Sequence, residues 1–600
     1  MSENIIQGQF LIPEQTLRTL SFCEPTTNHL TEWVQQLPMA NLGEASRQLY
    51  HAIIELNQLT INPEARFKLT EILRPAIQQV CQRLSKHYLN QPILLPPKAR
   101  KVTKLAMALD NHLMIAYKAV IHDRKKLSQS LLSKKPKKIT TQAIYHAMRI
   151  TAQMIIRAYH LYIAAPAKAW HELHQLYLIA ESNQLLNIIV EDKHNRFAQK
   201  TSIEEVYKRA LMMGTCNTNQ IRQANISNIY DATELWAKHI KIVPAIQTAN
   251  FTINLNEDTA PVHSELSSGK NSPFCRGIDM QPLLNLFKEY LAIADNPEGA
   301  FIRGLTIPGT IKNQCLELLI TSWEMLTKRS CARLPSDKSI KMCIGFRATH
   351  FYLSGGVDFE TQLQRDASSV PPTSQFNAKD VKSLSDSTDP WSNAFDAEHD
   401  DRQAVDHSDF NLQSDASSST QGEELVAAPG YPQYTTRLID ISPNGYCIKW
   451  ENDVPPEIKA GEIVGINEQQ LHIWAVGVIR WVSQPKIGTT TIGVELLATA
   501  PIPCGARAIN GSQSKSDFMR ALLLPAQEGI GQPAFFIAPN MPFKENLTVV
   551  LNQYGETSQG LLGACTLSTG SFSQFIFEPQ ALRADLSDDE DDDDNIWPDI

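Results

Sequence analysis

The sequence predicts a multidomain α+β protein, with an all-α first half and a β-rich second half. Three observations carry that expectation. Through the first 245 residues, apolar positions recur at helical spacing. From Tyr434 onward they alternate with period two between Pro, Gly and Asn punctuation. Between these halves, Val357–Gly430 is rich in Ser, Asp, Gln and Pro and has almost no apolar periodicity, so a disordered insertion is expected there.

Six hundred residues suit three or four domains. A content of 42% hydrophobic and 20% charged residues describes a globular chain carrying disordered parts. No apolar run reaches about 20 residues and the N-terminus is not basic and then apolar, so neither a membrane span nor secretion is expected. The ten cysteines include no C-x-x-C pair. They suit neither a zinc site nor a disulfide framework, and reduced thiols in a cytoplasm are the plain reading. The net charge of −9 is concentrated in the insertion and the tail and excludes no function class.

Residues 1–245 read as stacked antiparallel helix pairs. Helical patterns cover 43–59, 63–89, 98–123, 139–163 and 166–183, with Pro75 expected to end or kink the second near Arg74. No repeat consensus is visible, and arrays of this kind more often bind proteins than catalyse. His171-Glu172-Leu173-His174 is not a zinc-protease helix, because that chemistry needs histidines four apart on one face. The basic residues Arg124, Lys125, Lys126, Lys134, Lys135, Lys137 and Lys138 read as an exposed loop between helices. They lack the interleaved aromatics that would stack bases, so nucleic acid is not the expected partner.

Residues 246–328 read as a mixed α/β segment: a strand at 249–256, then helices at 280–293 and 310–326. The last helix delivers the chain to Arg329-Ser330-Cys331-Ala332-Arg333, an R-x-x-x-R pattern. Two cations at a helix C-terminus are also what the helix dipole favours. Ser339–Ser354 reads as a strand with Ile340, Met342, Ile344, Phe346 and Ala348 on one face. Further on, YTTRLIDISPNGYCIKW (434–450) reads as a hairpin around Pro443-Asn444-Gly445. Asp440, Ser442 and Gly445 form D-x-S-x-x-G, which is either turn chemistry or a polar corner able to receive a planar ligand.

R-x-x-x-R, a strand, then D-x-S-x-x-G together resemble the PilZ domain, a small β-barrel that binds cyclic di-GMP. GEIVGI (461–466), LHIWAVGVIRWVS (471–483) and TTTIGVELL (489–497) look like its remaining strands. The resemblance covers roughly 329–356 and 431–505. Arg333 and Asp440 lie 107 positions apart, wider than usual for this family; without the 74 residues of 357–430 the spacing is 33. The expectation is therefore a PilZ-like six-stranded barrel, 329–512, split by a disordered insertion at 357–430. Loop-closure entropy permits it, at about 0.6 kcal/mol per doubling of loop length. Strand patterns between 516 and 579 suggest a further small β-domain, 513–583, with no site residues standing out.

The resemblance implies a ligand site. Arg329 and Arg333 would clamp phosphates and guanine edges, since an arginine fork matches guanine O6 and N7 and phosphate oxygens alike. Asp440 would accept from guanine N1–H and N2–H₂, Ser442 would add a hydrogen bond, and Gly445 would allow close backbone approach. No cofactor and no metal are implied. More loosely, phrases such as NQPILLPPKARKV, WHELHQLYLIAE and TGSFSQFIFE resemble long PilZ-bearing proteins of gammaproteobacteria, some linked to type IV pili and surface motility.

The chain ends in ADLSDDEDDDDNIWPDI (584–600), an acidic disordered tail with an apolar tip at Ile596-Trp597-Pro598. It suits either plain solubility or docking to a partner. Gly355-Gly356-Val357-Asp358-Phe359 is superficially similar to the G-G-D-E-F signature of diguanylate cyclases, but Val stands where the first acidic residue belongs. No nucleophile elbow or phosphate-binding loop accompanies it, so an enzyme is not expected. The leading expectation is a cytoplasmic cyclic di-GMP receptor that regulates an unidentified protein partner through its helical region or tail. The alternative is a nucleotide-independent adaptor with a PilZ-like barrel.

Overall fold

The computed structural model describes residues 10–89, 91–123, 135–244, 249–266, 272–294, 302, 304–324, 333–364, 430–442, 444–451, 454–468, 474–486, 489–509, 517–526 and 532–580. Arg329, Pro443, residues 124–134, residues 365–429 of the expected insertion and the acidic tail lie outside these. No helix among the described residues is long and apolar enough to cross a membrane.

The first part is all helix: α1 (Thr27–Gln35), α2 (Leu42–Gln58), α3 (Pro63–Ser85), α4 (Pro97–His122), α5 (Lys135–His160) and α6 (Ala169–Ser182). A short hairpin, β1 (Val190–Glu191) with β2 (Lys200–Thr201), leads into α7 (Ile203–Thr215) and α8 (Gln223–Trp236). The starts are written in the sequence. Asn41, Asn62 and Ser202 each accept from a backbone N–H three residues on, and Pro63 fills the first turn of α3. Pro75 does not end α3, which runs on to Ser85. Leu73, Ile77 and Val80 are buried on either side of it, and packing of α3 between α2 and α4 outweighs the lost backbone hydrogen bond.

The histidine run in α6 is structural. His174 is buried, with one ring nitrogen 2.7 Å from the Tyr207 hydroxyl and the other 3.1 Å from the Thr259 carbonyl. Burial lowers its pKa to about 4, which keeps the ring neutral. Glu172 pairs with the buried Lys118 at 2.7 Å. Among the described residues, no group of three His, Cys, Asp or Glu side chains could hold a metal ion.

A four-stranded antiparallel sheet follows, ordered β3 (Lys241–Val243), β6 (Cys275–Asp279), β4 (Phe251–Asn254), β5 (Val262–His263). Because β3 belongs to it, the mixed segment begins before residue 246. Helices α9 (Gln281–Ala294) and α10 (Asn313–Glu324) complete it, with Phe287 stacked on Trp323 at 6.0 Å. One continuous apolar core joins this sheet, the helices and the inner side chains of the first barrel.

That barrel contains β8 (Ser339–Ile344), β9 (Tyr434–Ser442), β10 (Gly445–Glu451), β11 (Ile463–Glu468), β12 (Trp474–Lys486) and β13 (Thr489–Ala498). The antiparallel ring runs β9-β10-β13-β12-β11-β8 and closes on β9, with the short β7 (Leu334–Pro335) added to β9. Two expectations are corrected here. The strand expected over 339–354 stops at Ile344. Gly345 takes a φ of +86°, which L side chains rarely adopt, and the chain turns into helix α11 (Phe346–Leu353). The insertion expected from Val357 does not begin there either, because α12 (Phe359–Leu363) follows, with Phe359 and Gln362 buried. Asp358 accepts from the Tyr431 hydroxyl at 2.8 Å, a structural contact inside the G-G-V-D-F run.

The C-terminal β-domain is a second closed barrel. Its order is β14 (Ile502–Ala508), β15 (Met519–Leu524), β16 (Phe535–Pro539), β19 (Phe572–Gln580), β18 (Glu556–Ser568), β17 (Thr548–Gln553), and β14 pairs with β17 to close it. The expected boundary at 512 is therefore too late, since β14 already belongs to this barrel. Ile463, Val476 and Val478 of the first barrel pack with Leu522, Leu524, Ile537 and Phe572 of the second in one apolar cluster.

Arg222 ties all three parts together. From the start of α8 its Nε donates to the Ala460 carbonyl at 2.9 Å and its Nη2 to Ser571 Oγ at 2.8 Å. Glu462 lies 3.9 Å away. Gly570 makes room for it, because a Cβ there would sit 2.3 Å from the guanidinium. Arg222→Ala is expected to cost about 2 kcal/mol, the scale of charged hydrogen bonds lost from a half-buried site. Urea unfolding of the full chain checks this; an unchanged midpoint would show that the apolar contacts alone hold the parts together.

Candidate functional site

The sequence puts Arg333 and Asp440 far apart, and the short strand β7 brings them together. Leu334 pairs with Ile441 and Pro335 with Asp440, and the Ser336 N–H donates to the Ile439 carbonyl at 2.9 Å. This stitching carries Arg333 onto the outer face of β9. Its Nη1 donates to both carboxylate oxygens of Asp440, at 3.0 and 3.3 Å. The Arg333 side chain is 37% exposed and that of Asp440 24%, so the pair sits at the surface, open to a ligand.

A β-bulge aims Asp440 outward. Cys447 of β10 pairs with Asp440, yet the next residue, Ile448, pairs with Leu438, which leaves Ile439 as the extra residue. Without the bulge, Asp440 would share the inward face of Leu438, which is 1% exposed. With it, Leu438 stays in the core and Asp440 turns to the opposite face. One inserted residue thus re-aims the polar corner, the usual use of a bulge at a site.

Along this rung, Asp440 is followed across the barrel by Cys447, Gly493 and Trp481. Three strand spacings make that row about 14 Å long. The Trp481 indole lies against Gly493, where a Cβ would fall 2.0 Å from Nε1. The Cys447 thiol is pushed up to about 11, first by burial and then by the Asp440 carboxylate, with Arg333 opposing, which keeps it a protonated thiol. Next to Trp481, Arg480 pairs with Glu495 at 2.5 Å.

Two residues of D-x-S-x-x-G are engaged internally. Ser442 Oγ donates to the Gly445 carbonyl at 3.1 Å, closing the hairpin. Gly445 itself faces its partner strand: an added Cβ would meet the Val494 carbonyl oxygen at 2.1 Å and Glu495 Cα at 3.1 Å. The close backbone approach at Gly445 is therefore to β13. The structure brings Arg333, Asp440, Ser442 and Gly445 to one corner, while Arg329 falls outside the described residues. Sequence reasoning missed the bulge and the placement of Trp481. The indole could have been found by counting outward residues back from Gly493.

Comparisons with known proteins agree from residue 28 to residue 580. Residues 28–245 match the family model described as the N-terminal domain of the cyclic-di-GMP receptor FimW, and residues 250–503 match its middle PilZ domain. Residues 504–580 match the FimW C-terminal β-barrel domain. The chain is 34% identical over 576 residues to the cyclic-di-GMP receptor FimW of Pseudomonas aeruginosa, covering 94% of this chain and 92% of that protein. No solved structure matches.

Proposed function

The chain belongs to the family of the cyclic-di-GMP receptor FimW, and from that membership we propose that it is itself a cyclic di-GMP receptor whose ligand sits on the Arg333–Asp440 corner. The observation that carries this reading is the contact between Arg333 and Asp440. A guanidinium fork and a carboxylate on one rigid corner are the two groups that guanine recognition needs. The fork addresses O6, N7 and phosphate oxygens, and the carboxylate accepts from N1–H and N2–H₂. Arg329 is assigned the second half of the clamp, Ser442 a hydrogen bond, and Gly445 the tight hairpin that holds the corner.

The ion pair is part of the mechanism. A surface pair of this kind is worth about 0–1 kcal/mol, so a ligand that satisfies both partners opens it at little cost. Opening it frees Arg333 to turn towards a phosphate. The segment before Arg333 continues from α10, which packs on α9 and reaches the second barrel through Gln314 and Ser568. Fixing the arginines on the ligand therefore pulls on α10 and changes the surface offered to a protein partner. This is a receptor and effector in the cytoplasm, not a catalyst. Its resemblance to long gammaproteobacterial PilZ proteins supports a role in type IV pili or surface motility.

Base selectivity tests the assignment of Asp440. Asp440→Ala is expected to lower cyclic di-GMP affinity about tenfold, the value of one good base contact. Cyclic di-AMP, which lacks the N1–H and N2–H₂ donors, should bind weakly to both proteins. An Asp440→Ala protein that keeps both affinity and guanine preference would remove Asp440 from the site.

A further inference from the structure

A second cleft lies where the two barrels meet, sharing no residue with the Arg333–Asp440 corner. It encloses about 800 Å³, within the ~300–1,000 Å³ range of small-molecule sites. Three arginines line it: Arg347 from α11, Arg507 from β14 and Arg520 from β15. Arg507 lies over the Phe518 ring at 5.0 Å, Arg520 over Phe359 at 4.6 Å and Arg347 over Tyr431 at 5.2 Å. Among the described residues, none of the three makes a hydrogen bond or an ion pair. Three arginines that line one cavity, none of them bonded to a carboxylate among the described residues, are an arrangement that an anionic ligand completes.

The cleft is built, not incidental. Gly505 pairs with Arg520 in the β14–β15 ladder, and a Cβ on it would sit 2.5 Å from Leu363 Cδ2. The missing side chain lets α12 lie on the outer face of the second barrel. Helix α12 is held there by Gln362, which donates to the Pro503 carbonyl at 2.9 Å, and α11 by His350, 3.2 Å from the Cys504 carbonyl. Burial lowers the His350 pKa to about 4, so this contact carries no charge of its own.

We propose that this cleft binds a nucleotide, a ligand joining phosphate to a planar base. The arginine forks suit the several oxygens of a phosphate chain. Aromatic side chains in the lining, Phe346 and Phe518, suit stacking of a base. Two carboxylates, Glu360 and Asp517, share the lining. They would repel a plain polyanion, whereas a base presents N–H donors to them. That combination favours a nucleotide over an acidic peptide such as residues 584–600 of this chain. A ligand here touches α11 and α12 from the first barrel's sequence and β14 and β15 from the second, so it would also clamp one barrel to the other.

The test is titration of the full-length protein with GTP, ATP and inorganic pyrophosphate, in wild type, Arg333→Ala, Arg347→Ala and Arg507→Ala/Arg520→Ala. At least one nucleoside triphosphate should bind wild type and Arg333→Ala with equal micromolar affinity. Affinity should fall at least tenfold in Arg507→Ala/Arg520→Ala and severalfold in Arg347→Ala, whose exposed side chain can be cut back without disturbing the fold. Pyrophosphate should bind at least tenfold more weakly. No nucleotide binding at millimolar concentration, or pyrophosphate binding as tightly as the nucleotides, overturns the proposal. So does a synthetic 584–600 peptide that binds where nucleotides do not and loses affinity in Arg507→Ala/Arg520→Ala. Loss of nucleotide binding in Arg333→Ala would place the nucleotide at the other corner and likewise overturn it.

Discussion

Replacing Arg329 and Arg333 together by alanine is expected to lower cyclic di-GMP affinity at least a hundredfold while leaving stability nearly unchanged. Each bidentate arginine–guanine contact is worth about 1–3 kcal/mol, and a factor of ten corresponds to about 1.4 kcal/mol. Two such contacts at about 2 kcal/mol each, the middle of that range, remove between two and three decades. Stability should hold, because Arg333 has its described contact only with Asp440, in a pair whose partners are 37% and 24% exposed. Pairs of that kind contribute about 0–1 kcal/mol. Arg333→Ala alone should cost at least tenfold. Calorimetric titration beside a thermal melt checks both halves, and a double variant that melts like wild type and binds like wild type removes the arginines from the account.

Gly445→Ala is expected to destabilise the first barrel by about 3 kcal/mol, the upper end of what overpacking costs. The reason is that the colliding atoms are backbone. The new Cβ would stand 2.1 Å from the Val494 carbonyl oxygen, and β13 cannot retreat, because it is paired on one side with β10 and on the other with β12. A side chain could rotate away; a central strand cannot. Gly445 also pairs with Ser442 across the hairpin, so any shift moves Asp440 as well. Ligand affinity should fall together with stability. If Gly445→Ala instead weakens binding without lowering the denaturation midpoint, the glycine serves ligand approach and not strand packing.

Much of this was legible in the sequence where the signal was local. The hairpin around Asn444-Gly445 follows from period-two alternation on both sides of turn residues, and the helices from apolar stripes at helical spacing. The failures share a physical cause. Alternation through Ile340, Met342 and Ile344 runs on into Phe346 and Ala348, and over so few residues a buried helix turn and a strand look alike. Only the positive φ of Gly345, invisible in sequence, separates them. The bulge at Ile439 depends on how many residues the partner strand offers, which β9 alone cannot show. Closure of the second barrel rests on β14 meeting β17, a long-range pairing. The arginine cleft draws Arg347, Arg507 and Arg520 from separate elements, so no stretch of sequence announces it. Pro75 shows the converse, a helix-ending signal overruled by burial on both sides.

Isothermal titration of cyclic di-GMP into the full-length protein beside Arg333→Ala decides whether the Arg333–Asp440 corner is a cyclic di-GMP site. Low-micromolar or tighter binding by the wild type, weakened at least tenfold in the variant, is the predicted result. No binding by the wild type, or equal binding by both, would contradict it and leave a PilZ-like barrel that acts as an adaptor or holds its ligand elsewhere.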